Sequence, residues 1–310
     1  MATALKLNTT DEMLEGRVSR LLVGAVDMHC HSGPSVMPRD FNHIQALQEA
    51  ADAGFRAMLI KDHYYSATPI TEMLNQTHGH LNVALFSGVP LNNAVGGFNK
   101  YAVDHGIALG AKLVWMPTFS SKNHCDSPFG IKAGFPHTIK KMMPFDPLTP
   151  IDAHGKVKDE VKEILDLIAP HDVILSGGHL HISEIFPVFE EARQRGVKKL
   201  LVNHPSFIID ASNDDIRQLV AMGAYIEHSL CMFAKVSKRD PLPPDALDVL
   251  IKAGTVDRTI LASDLGQRGL DHPVVGFRNV IKVCIGLGYS DLDIRKMISL
   301  NPLRLLGLEA

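Results

Sequence analysis

Cysteine is scarce in this chain and scattered where it occurs: Cys30, Cys125, Cys231 and Cys284 form no CxxC pair. That excludes a disulfide framework and a thiolate-rich zinc site. Positive charge is not in surplus either. The formal net charge is −3, so there is no basic field to draw in nucleic acid or anionic lipid. No apolar run reaches membrane-spanning length. Met1–Arg20 carries Asp11, Glu12 and Glu15 where a secretory segment would be apolar, and Thr10 with Asp11 reads as a helix cap. No GxGxxG or Walker-type phosphate loop stands at a strand-to-helix turn. These absences leave the expectation of a soluble cytoplasmic protein acting on a small molecule, with no nucleic-acid or membrane partner, and free to form homo-oligomers.

What is present is a large apolar fraction, 45% of 310 residues, arranged with a regular beat. Short runs rich in Val, Ile and Leu occur at Leu21–Met28, Ala57–Ile60, Val83–Phe86, Ala111–Met116, Val173–Leu175, Lys199–Val202, Ala224–Ile226 and Thr259–Ala262. Runs of this kind suit parallel strands buried on both faces. Amphipathic helical patterns separate them, among them Asn42–Ala53, Lys156–Ile168, Ser183–Arg195, Asp214–Met222 and Pro244–Ala253. Gly54, Gly196, Gly223 and Gly254 fall where C-terminal helix caps belong. Eight strand–helix units predict an α/β fold of the (β/α)8 TIM-barrel type, one domain over 1–310. The long interval after the fourth strand, Phe119–Gly155, is rich in Gly, Pro, Phe and His and reads as a lid.

Histidine is the residue in excess: sixteen, about double an average share. Asp27-Met28-His29-Cys30-His31 ends the first strand, where residues two apart face the same way and two imidazoles can clamp one ion. The fifth run leads through Gly177 and Gly178 to His179. The sixth delivers Asn203-His204-Pro205, and the eighth ends in Ser263-Asp264. In a barrel these strand ends surround one mouth, the usual place for catalytic groups. His29, His31, His179, His204 and Asp264 are therefore the candidate metal ligands.

This set resembles the amidohydrolase superfamily, metal-dependent hydrolases that bind one or two ions through HxH on strand one, His on strands five and six, and Asp on strand eight. The tail Asn301-Pro302-Leu303-Arg304-Leu305-Leu306-Gly307-Leu308 resembles that superfamily as well. His31-Ser32-Gly33-Pro34-Ser35, Lys61-Asp62-His63, Trp115-Met116-Pro117-Thr118 and Ser263-Asp264-Leu265-Gly266-Gln267 are similar to a poorly characterised bacterial branch of it. The resemblance implies a divalent cation, zinc first with Mn²⁺ or Fe²⁺ compatible, one ion or two. Two-metal members carry a bridging Lys or Glu on strand four, which this chain lacks. Lys61, at the end of strand two, is the alternative as a carboxylated bridge; its plainer reading is a lysine paired with Asp264, Glu227 or a substrate carboxylate.

Further candidates line the expected mouth. Arg39 is an anion anchor or a solvated partner of Asp40. His63, Glu227 and Asn92 are candidate substrate contacts, and Glu227 could equally hold a ligand histidine. His124, Phe135 and His137 fall on the lid, and His181 reads as a rim residue. The reaction expected is hydrolysis of a C–N bond (amide, cyclic imide or related) or of an ester or lactone. A hydroxide generated at the metal is the nucleophile, Asp264 shuttles its proton, and the metal, or His204 if only one ion binds, polarises the carbonyl. Two rivals stand beside it: a metal-dependent decarboxylase of a small aromatic acid, and a metal-binding barrel without catalysis.

Overall fold

The computed structural model describes residues 2–128, 136–233 and 241–308. Short parallel strands alternate with helices along the chain. The strands are β1 (Val26–Cys30), β2 (Ala57–Ile60), β3 (Ala84–Phe86), β4 (Gly88–Pro90), β5 (Leu113–Trp115), β6 (Ile174–Ser176), β7 (Lys199–Asn203), β8 (Tyr225–Ser229) and β9 (Thr259–Ala262). They form two parallel sheets, β1-β2-β3 and β4 through β9 in sequence order. The third expected run, Val83–Phe86, is β3; a further short strand, β4, follows the break at Ser87, and β3 pairs with β2 while β4 pairs with β5. Ser87 spans the break: its hydroxyl donates to the Ile60 carbonyl at 2.8 Å and its own carbonyl accepts from Lys112 N at 3.0 Å. At the other margin, the chain after β9 runs along the end of β1. Asp264 N donates to the His29 carbonyl at 2.7 Å and His31 N to the Leu265 carbonyl at 2.9 Å.

Alternation along the strands sorts side chains into two buried layers. Ala57, Leu59, Leu113, Trp115, Ile174, Leu201, Tyr225, Ile260 and Ala262 share one cluster inside the curved sheets, closed at one end by Leu303, Leu305 and Leu306. Their strand neighbours Met58, Ile60, Val114, Leu175, Leu200, Val202, Ile226 and Leu261 pack outward against helices. The same inner parity brings Ser176, Asn203 and Glu227 within β6, β7 and β8, and Lys61 and Asp264 just past β2 and β9, to one end of the inner space. β1 breaks this rule. Val26 and Met28 face inward, but a register shift lies between Asp27 and Cys30, and Cys30 packs outward. A bulge of this kind re-aims side chains, and here it turns His29 and His31 inward.

The helices that flank the sheets are closed by local chemistry. Capping boxes start the helix His43–Asp52 at Asn42 with Gln45, and the helix Asn213–Ala221 at Ser212 with Asp215. Some expected boundaries are corrected. The first helix, Ala2–Leu22, runs straight through Thr10 and Asp11, so no cap stands there and the first strand begins at Val26 rather than Leu21. Gly54, Gly196 and Gly223 do adopt positive φ after their helices. Gly254 instead closes the helix Pro244–Gly254, and Thr255 takes the left-handed turn at φ 61°. In the interval 119–155, a short helix spans Lys122–Asp126, and Leu148 N donates to the Ser120 carbonyl at 2.7 Å, tying the two limbs together. Phe135 lies outside the described residues.

Candidate metal centre

His29, His31 and Asp264 offer one ligand atom each, all within 4.8 Å of one another. Asp264 Oδ1 stands 3.3 Å from His29 Nε2 and 3.1 Å from His31 Nε2. Both imidazoles are turned by their other nitrogen. His31 Nδ1 lies 2.8 Å from the Lys61 main-chain oxygen, which can only accept, so the proton sits on Nδ1 and the Nε2 lone pair faces Asp264. His29 Nδ1 lies 2.7 Å from Glu227 Oε1. Glu227 Oε2 accepts from Asn203 Nδ2 at 2.6 Å, Asn203 Oδ1 accepts from the Ser176 hydroxyl, and Ser176 Oγ accepts from Gly178 N at 3.1 Å. This chain of bonds crosses β6, β7, β8 and β1 and ends on a histidine whose Nε2 is turned towards Asp264 and Lys61. Metal-binding histidines are normally oriented in this way by a carboxylate or carbonyl. The donor chemistry and the two fixed tautomers fit a divalent cation.

Burial sets the charge states. It holds His29, His31, His63 and His179 below the ordinary imidazole range and brings His204 to about 4. Burial thus favours their neutral form, the one in which an imidazole ligates a metal. Burial also lifts Glu227 well above the usual carboxylate range, with Lys61 opposing. For Asp264 burial pulls upward, but His29, His31 and His204 together hold it well below its ordinary value. Burial brings Lys61 down to about 8, against the attraction of Asp264 and Glu227.

The backbone around Asp264 is tightly specified. Asp27 Oδ1 accepts from Ser263 N at 2.9 Å and from His29 N at 3.1 Å, and Ser263 Oγ donates to the His29 carbonyl at 2.8 Å. Asp264 itself has φ 49°. Gly266 follows at φ 115°, and a Cβ there would lie 1.9 Å from the His31 carbonyl oxygen.

The other expected residues separate into those near the centre and those with different work. The rings of His179 and His204 are 5.1 Å apart and His204 is 6.0 Å from His29, so both flank the three-residue group without joining it. His204 Nδ1 is buried without a hydrogen bond. His179 Nδ1 meets His124 Nδ1 at 3.1 Å, so His124 is a buried neighbour of the centre rather than a lid-surface residue. Lys61 is fully buried and reaches His29 Nε2 at 3.2 Å while lying over the Trp115 ring at 5.6 Å. It forms no ion pair with Asp264 or Glu227 among the described residues. Glu227 serves His29 rather than open space, since both its oxygens are taken.

Asn92 is corrected from substrate contact to fastener. Its Oδ1 accepts from Thr118 N and Ser120 N, and its Nδ2 donates to the His63 carbonyl and to Thr118 Oγ1 at 2.6 Å. That uses its full bonding capacity. The same bonds fix His63. The buried Thr118 hydroxyl has no acceptor other than His63 Nδ1, 2.8 Å away, among the described residues, and donating there leaves the hydrogen of His63 on Nε2. Its ring is held against Phe119 at 3.7 Å and stacks on His31 at 5.1 Å. Arg39 is not a solvated partner of Asp40, which faces Arg268 at 3.8 Å; its side chain is 4% exposed and nearest Asp62. His181 caps the helix Ile182–Gln194 through its ring.

Sequence reasoning missed Asp27, Ser176, Asn203, Thr118 and Cys231, whose Sγ donates to Asp264 Oδ2 at 3.3 Å. Inner-face parity was the available signal for Ser176 and Asn203. None existed for Cys231, which reaches Asp264 across loop geometry.

Among solved structures of the same fold are an amidohydrolase from Pseudomonas aeruginosa (11% identity, 94% of this chain and 98% of that one, TM-score 0.66) and the probable dipeptidase PvdM from the same organism (13%, 96% and 98%, 0.65). A putative 2-pyrone-4,6-dicarboxylic acid hydrolase from Pseudomonas putida also shares it (14%, 93% and 99%, 0.59). No curated protein matches by sequence. Residues 24–227 match the model described as "Family of unknown function (DUF6282)". The chain belongs to that family.

Proposed function

We propose that this protein is a metal-dependent hydrolase of the amidohydrolase type, built on a closed (β/α)8 barrel. The hydrogen bonds from Asp264 and His31 that join the end of β9 to β1, and those of Ser87 across the other break, support closure. The observation that carries the functional reading is the convergence of His29 Nε2, His31 Nε2 and Asp264 within 4.8 Å, with both tautomers set for ligation. His179 and His204 complete the donor set. The neighbours bear the names of an amidohydrolase, a probable dipeptidase and a putative hydrolase, and hydrolysis is the chemistry those names share.

A bound divalent cation, zinc being the first choice for imidazole and carboxylate donors, brings the pKa of water from about 15.7 towards roughly 7. The protein supplies the rest. Asp264 takes the proton of the attacking water and passes it to the leaving nitrogen or oxygen as the acyl bond breaks. The Nε2–H of His63 polarises the carbonyl oxygen, and His204 does so where a single ion leaves it unligated. Phe119, stacked on His63, keeps water off that donor. The bond cleaved is an amide, cyclic imide, ester or lactone of a small molecule, and the interval 119–155 serves as the lid.

The test is elemental analysis of protein purified without chelators, followed by a panel of amides, imides, esters and lactones. One or two ions per chain and hydrolysis abolished by Asp264→Asn are expected; two ions would favour carboxylated Lys61 as a bridge. Carbon dioxide release without amine or alcohol would replace hydrolysis with decarboxylation. A protein that binds no divalent metal would end the reading.

A further inference from the structure

Arg39 has no task in that reading, yet its state is costly. Its side chain is 4% exposed, and Nε, Nη1 and Nη2 all lack a hydrogen-bond acceptor among the described residues. The nearest counter-charge, Asp62 Oδ2, is 3.7 Å from Nη2, beyond hydrogen-bond range, and has no donor of its own. The other Asp62 oxygen is occupied by Tyr64 N at 2.8 Å. The buried Tyr64 hydroxyl also lacks a partner, and so does Oε1 of Gln267, whose backbone bridges to Arg39. A guanidinium withdrawn from water without hydrogen bonds is strongly unfavourable. A ligand supplying acceptors would remove that cost.

Asp62 stands between Lys61 and His63 in the chain, so its ion pair brings the guanidinium alongside the centre. The charge on Arg39 is felt at His31, Lys61 and His63, lowering each. Arg39 also lies on the wall of a cleft of about 410 Å³, with Gly33, Pro34, Met37, Gln45 and Arg268 among its other lining residues. That is room for a small organic acid.

We propose that the substrate is an acid: it carries a carboxylate that docks in the fork of Arg39, with the Tyr64 hydroxyl as an additional donor, beside the His29–His31–Asp264 group. A planar carboxylate matches the two parallel donors of a guanidinium. Asp62 disfavours a doubly charged phosphate in the same place. The proposal rests on the hydrolase reading for the bond that is cleaved, but not for the binding.

Binding is therefore measured without turnover, by titration calorimetry on the metal-loaded full chain. The probes are succinate and benzoate against their neutral counterparts succinamide and benzamide. A metal also attracts carboxylates, so the informative quantity is the change caused by Arg39→Gln. Wild type is expected to prefer each acid over its amide at least tenfold, Arg39→Gln to lose most of that preference, and Arg39→Lys to keep part of it. Asp62→Asn, which removes the competing carboxylate, is expected to tighten acid binding severalfold and serves if Arg39→Gln does not fold. Equal preference in wild type and Arg39→Gln, or unchanged or weaker acid binding in Asp62→Asn, overturns the proposal. An Arg39-dependent acid preference in a protein that hydrolyses nothing on the panel supports the anchor and sinks only the hydrolytic reading.

Discussion

Glu227 Oε1 and His29 Nδ1 meet at 2.7 Å with both side chains buried, and this contact fixes how a histidine at the end of β1 faces the centre. The carboxylate is held from behind by Asn203, so the imidazole cannot turn without breaking a series of buried bonds. Glu227→Gln keeps an acceptor but loses the charge. Metal affinity is expected to fall about 10–100-fold, the usual consequence of losing such a partner, as read by competition with a chromophoric chelator. Wild-type affinity in Glu227→Gln would remove Glu227 from the centre.

Metal removal is the second test. A ligand that binds only the folded chain adds about 2.7 kcal/mol at a concentration 100 times its Kd. Chelator-treated protein is expected to melt lower, and stoichiometric Zn²⁺ to restore the transition. His31→Ala should abolish the zinc-dependent rise while leaving the chelated protein folded. A rise of unchanged size in that variant would place the ion elsewhere.

Gly266 tests the backbone beneath the ligands. Its φ of 115° and a Cβ position 1.9 Å from the His31 carbonyl oxygen leave no room for alanine. Gly266→Ala is expected to cost at least about 1–3 kcal/mol in denaturant melts and to lower metal content, because Asp264 is displaced relative to His31. Retention of both would show that this loop has slack.

Acid sensitivity has a source outside the centre. His228 is 1% exposed on the outer face of β8, neither ring nitrogen has a well-formed hydrogen bond among the described residues, and burial brings it to about 4, opposed by the Leu250 main chain. An imidazole depressed from 6.5 binds its proton in the unfolded chain first, so its contribution is intact above pH 6.5 and is lost as pH falls towards 4. At pH 5 the loss is about 2 kcal/mol. His228→Leu is expected to be more stable than wild type at pH 5 by about that amount, with a smaller difference at pH 7.5. Parallel pH–stability curves for the two proteins would contradict this.

Strand rhythm and strand-end chemistry carried most of the reading from sequence to structure. Eight apolar runs became parallel strands because each is buried on both faces, and Asp264 and the HxH pair were recognisable because polar residues rarely end such runs without purpose. The break at Ser87 was not legible, since Val83–Pro90 is uniformly apolar apart from that serine. Nor was the bulge in β1: strict alternation from Val26 and Met28 would have turned His29 and His31 outward. Asn92 and Arg39 show the limit most clearly. Residue type marked them as polar groups near the mouth, but only coordinates reveal that Asn92 has every bond filled and that the Arg39 guanidinium has none among the described residues.

The shared bond network of Asp27, His29 and Ser263 has a consequence for biosynthesis. Its members come from opposite ends of the polypeptide, so a growing chain displays the two histidines long before their aspartate partner leaves the ribosome. On the proposed reading, ion capture then waits until the segment after β9 has docked on the end of β1.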